Sequence, residues 1–203
     1  MKRFKPNIFK NSLLILLILS LILIINNLID SKLNIVNQKN VRIDIGGKFE
    51  LMNQDGLKIV SSDINKIKLI YFGYTYCPDV CPLDLMSISS FFNDNKQLLK
   101  IIQPIFITLD PKRDNPEVIK NYLENFGDFI IGMTGDIKDI NIILKKYRIY
   151  QKVQDNLSQP DNYTIDHTSL YYLMDKEDNY IAHFNRENFK DSFKKFLLKK
   201  KFL

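Results

Sequence analysis

Apolar positions along the chain fall into short runs and helical stripes that alternate from residue 46 to the end. Leu69 to Gly73 is an apolar run rich in strand formers, and Pro104-Ile-Phe-Ile-Thr-Leu-Asp110 is a second. Both predict buried strands, and the second must stop at Asp110-Pro111, where proline cannot continue a ladder. Phe129–Thr134 and Thr168–Met174 predict two further strands, and Asp178-Asn179 turns the latter into a partner over Tyr180–Phe184. Helical spacing appears over Pro82–Phe92, in Leu85, Met86, Ile88, Phe91 and Phe92. It recurs from Pro116, a residue favoured in a first helical turn, to about Phe126, and over Ile137–Tyr147. The last helix, about Glu187–Lys200, repeats Phe189, Phe193, Phe196 and Leu197 on one face. Two alternating segments between Gly46 and Val60 flank Asp55-Gly56 and predict a hairpin. Strands alternating with helices, then a closing hairpin and helix, predict an α/β domain with a central sheet flanked by helices.

The N-terminus follows a different pattern. Lys2, Arg3, Lys5 and Lys10 precede an unbroken apolar run, Leu13 to Ile25, which Leu28 and Ile29 extend past Asn26-Asn27. Residues 12–29 approach the roughly 18–20 that a spanning helix needs. They have no polar face, and no Ala-x-Ala pattern comes after them, so the segment reads as an uncleaved anchor rather than a signal peptide. The basic flank keeps the N-terminus in the cytoplasm and exports the C-terminal domain. The expected layout is a cytosolic arm at 1–11, a transmembrane anchor at 12–29, a polar linker at 30–42 and a domain at 43–203. In a bacterium this is a single-pass inner-membrane protein with its domain in the periplasm.

Charge narrows the function. The 203 residues carry a net +6, but the N-terminal arm holds four of those charges. Little is left to make a nucleic-acid surface, and Lys199-Lys-Lys201 reads as the solvated end of the last helix.

The chemistry lies in Tyr71-Phe-Gly-Tyr-Thr-Tyr-Cys-Pro-Asp-Val-Cys-Pro82, which holds the chain's two cysteines. The segment runs from a strand through a turn into a helix, and open α/β sheets place their sites at the C-terminal ends of strands. The arrangement is thioredoxin-like. If the helix begins near Cys77, Cys77 and Cys81 share one face, and the helix N-terminus lowers the thiol pKa. Such a pair serves disulfide exchange or soft-metal binding. A purely structural disulfide across so short a loop would stabilise little. Dithiol oxidoreductases usually separate their cysteines by two residues, often after a Trp; here three intervene and the chain has no Trp. Two thiolates leave a structural zinc site incomplete, whereas two thiolates and an imidazole suit Cu(I). Two histidines are available. His167 precedes a core strand at the point where thioredoxins place a proline facing the cysteines. His183 has no polar cluster around it and reads as structural.

Further motifs accompany the cysteines: Gly46-Gly47, Asp110-Pro-Lys-Arg-Asp-Asn-Pro116, Thr134-Gly-Asp136, Tyr147-Arg-Ile-Tyr150 and Asp166-His-Thr-Ser169. Together with the anchor-then-domain layout, they make the chain resemble the SCO/SenC family of copper chaperones that help assemble cytochrome c oxidase. Three positions depart from the family pattern. Tyr76 stands where His is often found and removes a possible auxiliary ligand. Asn115 replaces Thr, and Thr168 replaces Ser. The resemblance implies one copper ion, Cu(I) or Cu(II), held by Cys77, Cys81 and His167. It implies delivery to the dinuclear copper site of cytochrome c oxidase subunit II, with other copper carriers as possible partners. Asp79 would either tune the site or serve as a helix N-terminal acid. Asp110, Arg113 and Asp114 would form a partner surface or a salt-bridged loop that shapes the fold. The competing expectation is a membrane-tethered thiol-disulfide oxidoreductase using Cys77 and Cys81 to keep that subunit's cysteines reduced. A peroxidase is a weaker option, because its usual Pro-x-x-x-Thr-x-x-Cys pattern is absent before Cys77. His167 discriminates, since copper binding needs it and disulfide exchange does not.

Overall fold

The computed structural model describes residues 18–27, 45–154 and 163–202. The chain divides into two units, Met1–Ile43 and Asp44–Leu203. In the first, residues 18–27 form a helix (α1) with every side chain exposed. The rest of the expected anchor, the basic arm and the linker lie outside the described residues. Among the described residues no helix is long and apolar enough to cross a membrane.

The second unit is built on a seven-stranded mixed sheet in the order β2-β1-β5-β4-β3-β8-β9. The predicted hairpin is β1 (Glu50–Asn53) and β2 (Lys58–Val60), turning at Gly56, whose φ of +75° suits a residue without Cβ. The centre is parallel: β3 (Ile67–Gly73) beside β4 (Ile102–Thr108) beside β5 (Ile131–Thr134). All seven residues of β3 are buried, as a strand covered on both faces requires. Antiparallel β8 (Leu170–Met174) and β9 (Tyr180–Asn185) complete the sheet.

Helices cover both faces. Alternate β3 side chains point to opposite sides, so Tyr71 and Phe72 mark the two layers. Tyr71 packs on Phe106 and Tyr171, on the side of α2 (Val80–Asp94), α3 (Pro116–Leu123) and α5 (Phe189–Lys199). The apolar stripe predicted for α5 fills the groove between α2 and β9: Phe193 lies 5.0 Å from both Phe91 and Phe184, ring centre to ring centre. Phe72 points the other way, to Tyr147 at the end of α4 (Ile137–Lys146) and to Tyr172.

Two features differ from expectation. Lys68 lies inside the buried strand rather than before it. Its ammonium, fully buried, sits 2.8 Å from the buried Asp178 carboxylate and donates to the carbonyls of Asp175 and Lys176. Ser61 supplies Asp178 with a further hydrogen bond of 2.7 Å. A buried ammonium is tolerable only with such full pairing. The second feature is a separate two-stranded ribbon, β6 (Gln151–Gln154) with β7 (Thr164–His167), which the pattern did not predict.

Candidate metal centre

The site forms because two segments end at the same edge of the sheet. β3 delivers the chain to Cys77 at its C-terminal end. β8 is antiparallel to it and pairs Tyr171 with Tyr71, so the residues just before β8 lie beside those just after β3. His167 precedes Tyr171 by four positions and therefore arrives at the cysteine turn. The ribbon register, Gln151 opposite His167, fixes its backbone.

The helix does not begin near Cys77. It begins at Val80, with Asp79 in the N-cap position and exposed. Cys77 occupies a turn ahead of the helix, closed by its N–H to the Tyr74 carbonyl at 3.3 Å. The two thiols still meet, by a different route. The Cys77 sulfur caps the helix from outside, accepting the Cys81 N–H at 3.4 Å. Cys81 is fully buried, yet its sulfur faces the site rather than only the core, lying 3.6 Å from His167 Nε2. Gly73 makes room for it: a Cβ there would stand 3.1 Å from that sulfur.

These contacts polarise the pair. The Cys81 thiol and then the N–H groups of Asp79, Cys81 and Val80 all favour negative charge on Cys77, outweighing its partial burial and lowering its pKa to about 5. Cys81 is pushed far up, by the same hydrogen bond to Cys77, by burial and by the Cys77 charge. At neutral pH the pair holds one proton, on Cys81. The His167 tautomer is set by its other nitrogen. Nδ1 lies 3.0 Å from the Thr168 carbonyl, which only accepts, so Nδ1 carries a hydrogen and Nε2 is the nitrogen that faces Cys81. Tyr74 packs edge-on to the imidazole, and its hydroxyl accepts the Ile165 N–H at 3.1 Å. Cys77, Cys81's neighbour Val80, His167 and Arg186 border an open groove of about 480 Å³.

Among the described residues, no three histidine, cysteine or carboxylate side chains are gathered into a finished metal cluster. The Cys81–His167 edge nevertheless fits a metal. Bonds of about 2.3 Å to sulfur and about 2.0 Å to nitrogen, about 110° apart, span about 3.5 Å, close to the separation here. Cys77 lines the same groove as His167, its sulfur resting on the Cys81 N–H.

The other singled-out residues find different roles. Asp110, Arg113 and Asp114 form the salt-bridged loop. Arg113 Nε lies 2.5 Å from Asp110, and the guanidinium stacks 3.6 Å from the Tyr163 ring centre. Asp114 is fully buried and accepts from Thr75 and Thr108; burial raises its pKa despite those bonds. The exposed Tyr76 ring lies under Arg113 at 4.8 Å. His183 hydrogen-bonds Tyr180 on the exposed face of β9. The carboxylate of Asp84, on α2, was not singled out, yet it is buried beside the site.

A sequence profile described as SCO1/SenC matches residues 37–198. The chain belongs to the SCO1/SenC family. Its relatives include the SCO2-like protein RP587 of Rickettsia prowazekii, 42% identical over 145 residues, covering 70% of each chain. Among solved SCO1/SenC structures it is similar to Bradyrhizobium japonicum ScoI with copper bound, at 37% identity and a TM-score of 0.67 over 75% of this chain and 99% of that one. It is also similar to yeast Sco1 with copper bound, at 33% identity and a TM-score of 0.69 over 77% of this chain and 87% of that one. The thioredoxin-like fold expected from the motif pattern is the fold these SCO proteins share.

Proposed function

We propose that the chain is a membrane-anchored copper-delivery protein. It takes one copper ion as cargo on Cys77, Cys81 and His167 and passes it to the dinuclear copper site of cytochrome c oxidase subunit II. The observation that carries this reading is the placement of the His167 imidazole, its Nε2 3.6 Å from the Cys81 sulfur and its Nδ1 held 3.0 Å from the Thr168 carbonyl. The solved copper-bound relatives support the choice of metal. Two thiolates and an imidazole bind Cu(I) well and release it by ligand exchange to a richer site. The layout belongs to the same proposal: arm 1–11, span 12–29, linker 30–42, and the domain 43–203 in the periplasm.

A second reading rests on its own observation. The Cys77 sulfur accepts the Cys81 N–H at the helix start; the Cys81 thiol and the helix N–H groups lower the Cys77 pKa while the same pairing and burial raise that of Cys81, the polarity of a dithiol reductant. One protein can serve both ends only in separate cycles: reducing the target's disulfide leaves a Cys77–Cys81 disulfide, which a dithiol donor must reduce before copper is loaded. The test separates them. Cells whose copy carries His167→Ala should accumulate oxidase subunit II without its copper pair, while that subunit's cysteines stay reduced. Normal copper loading in those cells would contradict delivery through His167. A domain shielded from external protease in cells with opened outer membranes would contradict the topology.

A further inference from the structure

Three segments border the groove, and all three converge on one carboxylate. Asp84 lies on α2, one turn after Cys81, and is fully buried. Its Oδ2 accepts the Ser169 hydroxyl at 2.5 Å, and its Oδ1 lies 3.1 Å from Arg186 Nε. Its own carbonyl accepts the Tyr171 hydroxyl at 3.4 Å. Ser169 sits two residues after His167, in the link to β8, and Arg186 comes directly after the end of β9.

Packing alone does not call for a carboxylate here. The other buried positions of α2 are Cys81, Leu85, Ile88, Phe91 and Phe92, and Asp84 is the one charged side chain among them. An ionised group is kept out of water only where directed partners compensate it. Asp84 accepts a hydrogen bond from Ser169 on one oxygen and faces the Arg186 guanidinium charge with the other, and both partners come from the two segments on the far side of the site. Leu at this position would fill the space but leave α2 free to shift against the His167 link. The carboxylate instead fixes both the distance and the rotation of the helix one turn from the Cys81 sulfur.

Resting on the copper-ligand reading above, we infer that Asp84, through Ser169 and Arg186, is a positioning residue. It holds the Cys81 sulfur and His167 Nε2 at the 3.6 Å separation that a shared metal ion requires. It touches neither the metal nor either ligand. Comparable groups behind metal ligands are worth about 10- to 100-fold in affinity when removed.

The test uses the full chain, reduced, with native, His167→Ala, Asp84→Asn, Ser169→Ala and Ser169→Thr forms titrated with Cu(I) against a competing chelator. The Cu(II) forms are compared by their thiolate-to-copper absorption and electron paramagnetic resonance. Ser169→Ala should lose about 10-fold or more in affinity. Ser169→Thr, which keeps the hydroxyl, should recover most of it. Asp84→Asn should shift the Cu(II) spectrum. In the metal-free state, the His167 Nε2 nitrogen-15 resonance should move in Ser169→Ala and return in Ser169→Thr. The initial reactivity of Cys77 should be unchanged in the two Ser169 variants, because the Cys81 thiol and the amides that face its sulfur remain. Should Asp84→Asn fail to fold, the Ser169 pair decides alone. Ser169→Ala with native affinity, native spectrum and an unmoved His167 resonance overturns the positioning role. If His167→Ala itself binds copper as the native chain does, it is the ligand reading that has failed, and the positioning role goes with it.

Discussion

The polarised thiol pair makes a quantitative prediction about reactivity. The perturbation is pH, with Cys81→Ala as the control that removes the largest cause of the lowered Cys77 pKa. A thiol of pKa about 5 is roughly 99% ionised at pH 7, while an ordinary cysteine near 8.5 is about 3% ionised. That is about a 30-fold gain in thiolate. Lowering the pKa by about 3.5 also lowers intrinsic nucleophilicity, by about 25- to 55-fold at a Brønsted slope of 0.4–0.5. The two effects nearly cancel at pH 7, so a single rate there tells nothing. The profile does. Between pH 6 and pH 8 an ordinary thiol gains about 75-fold in thiolate, whereas Cys77 gains about 1.1-fold. The sign is that of a lowered acid: reactivity is present above the folded pKa and falls as pH drops through about 5. The assay is the initial rate of reaction with a small aromatic disulfide, tracked by the absorbance of the released thiolate. The native chain should be flat from pH 6 to 8. Cys81→Ala should regain a slope, because the thiol that donates to Cys77 is gone. A native profile rising more than 20-fold over that interval, or a Cys81→Ala profile as flat as the native one, would refute the reasoning.

Other consequences concern the scaffold. Asp178→Ala strands the buried Lys68 ammonium and should cost about 3–5 kcal/mol in urea unfolding; a loss under about 1 kcal/mol would mean that Lys68 finds water. Gly73→Ala places a methyl 3.1 Å from both the Cys81 sulfur and the Phe106 ring, and 2.9 Å from Tyr71. It should cost about 1–3 kcal/mol and also weaken copper binding, and a variant as stable as native with native affinity would show that the site yields more than its packing suggests. Phe193→Ala opens the contact between α2, α5 and β9 and should cost about 3–5 kcal/mol in thermal unfolding while leaving Cys77 reactivity unaltered.

Much of this molecule is legible in its sequence. The runs at Leu69–Gly73 and Pro104–Asp110 announce buried strands, because they are short and mostly apolar. The α5 stripe of Phe189, Phe193 and Leu197 is buried as its spacing requires. What stayed hidden has physical causes. Lys68 looks like the boundary of β3, because a lysine in a core strand makes sense only with Asp178, more than one hundred residues away. The β6–β7 ribbon is short and mostly polar: in each four-residue strand a single apolar residue, Val153 or Ile165, stands among polar ones. Period-two contrast therefore has nothing to mark. The later start of α2 escapes the spacing argument, because Cys77 joins the helix through its sulfur rather than its backbone. The Cys77–Cys81–His167 grouping was legible through motif resemblance. Asp84 was not, since its partners Ser169 and Arg186 lie more than eighty residues away and nothing in the local pattern marks it as buried.

The central claim is that His167 completes a copper site with the two thiols. It is tested most directly by X-ray absorption at the copper edge on the reduced chain loaded with one equivalent of Cu(I). About one copper should bind per chain, coordinated by two sulfurs and one nitrogen. In His167→Ala the nitrogen should vanish and the sulfurs remain. A spectrum with fewer than two sulfurs, or a nitrogen that persists unchanged in His167→Ala, would contradict the account.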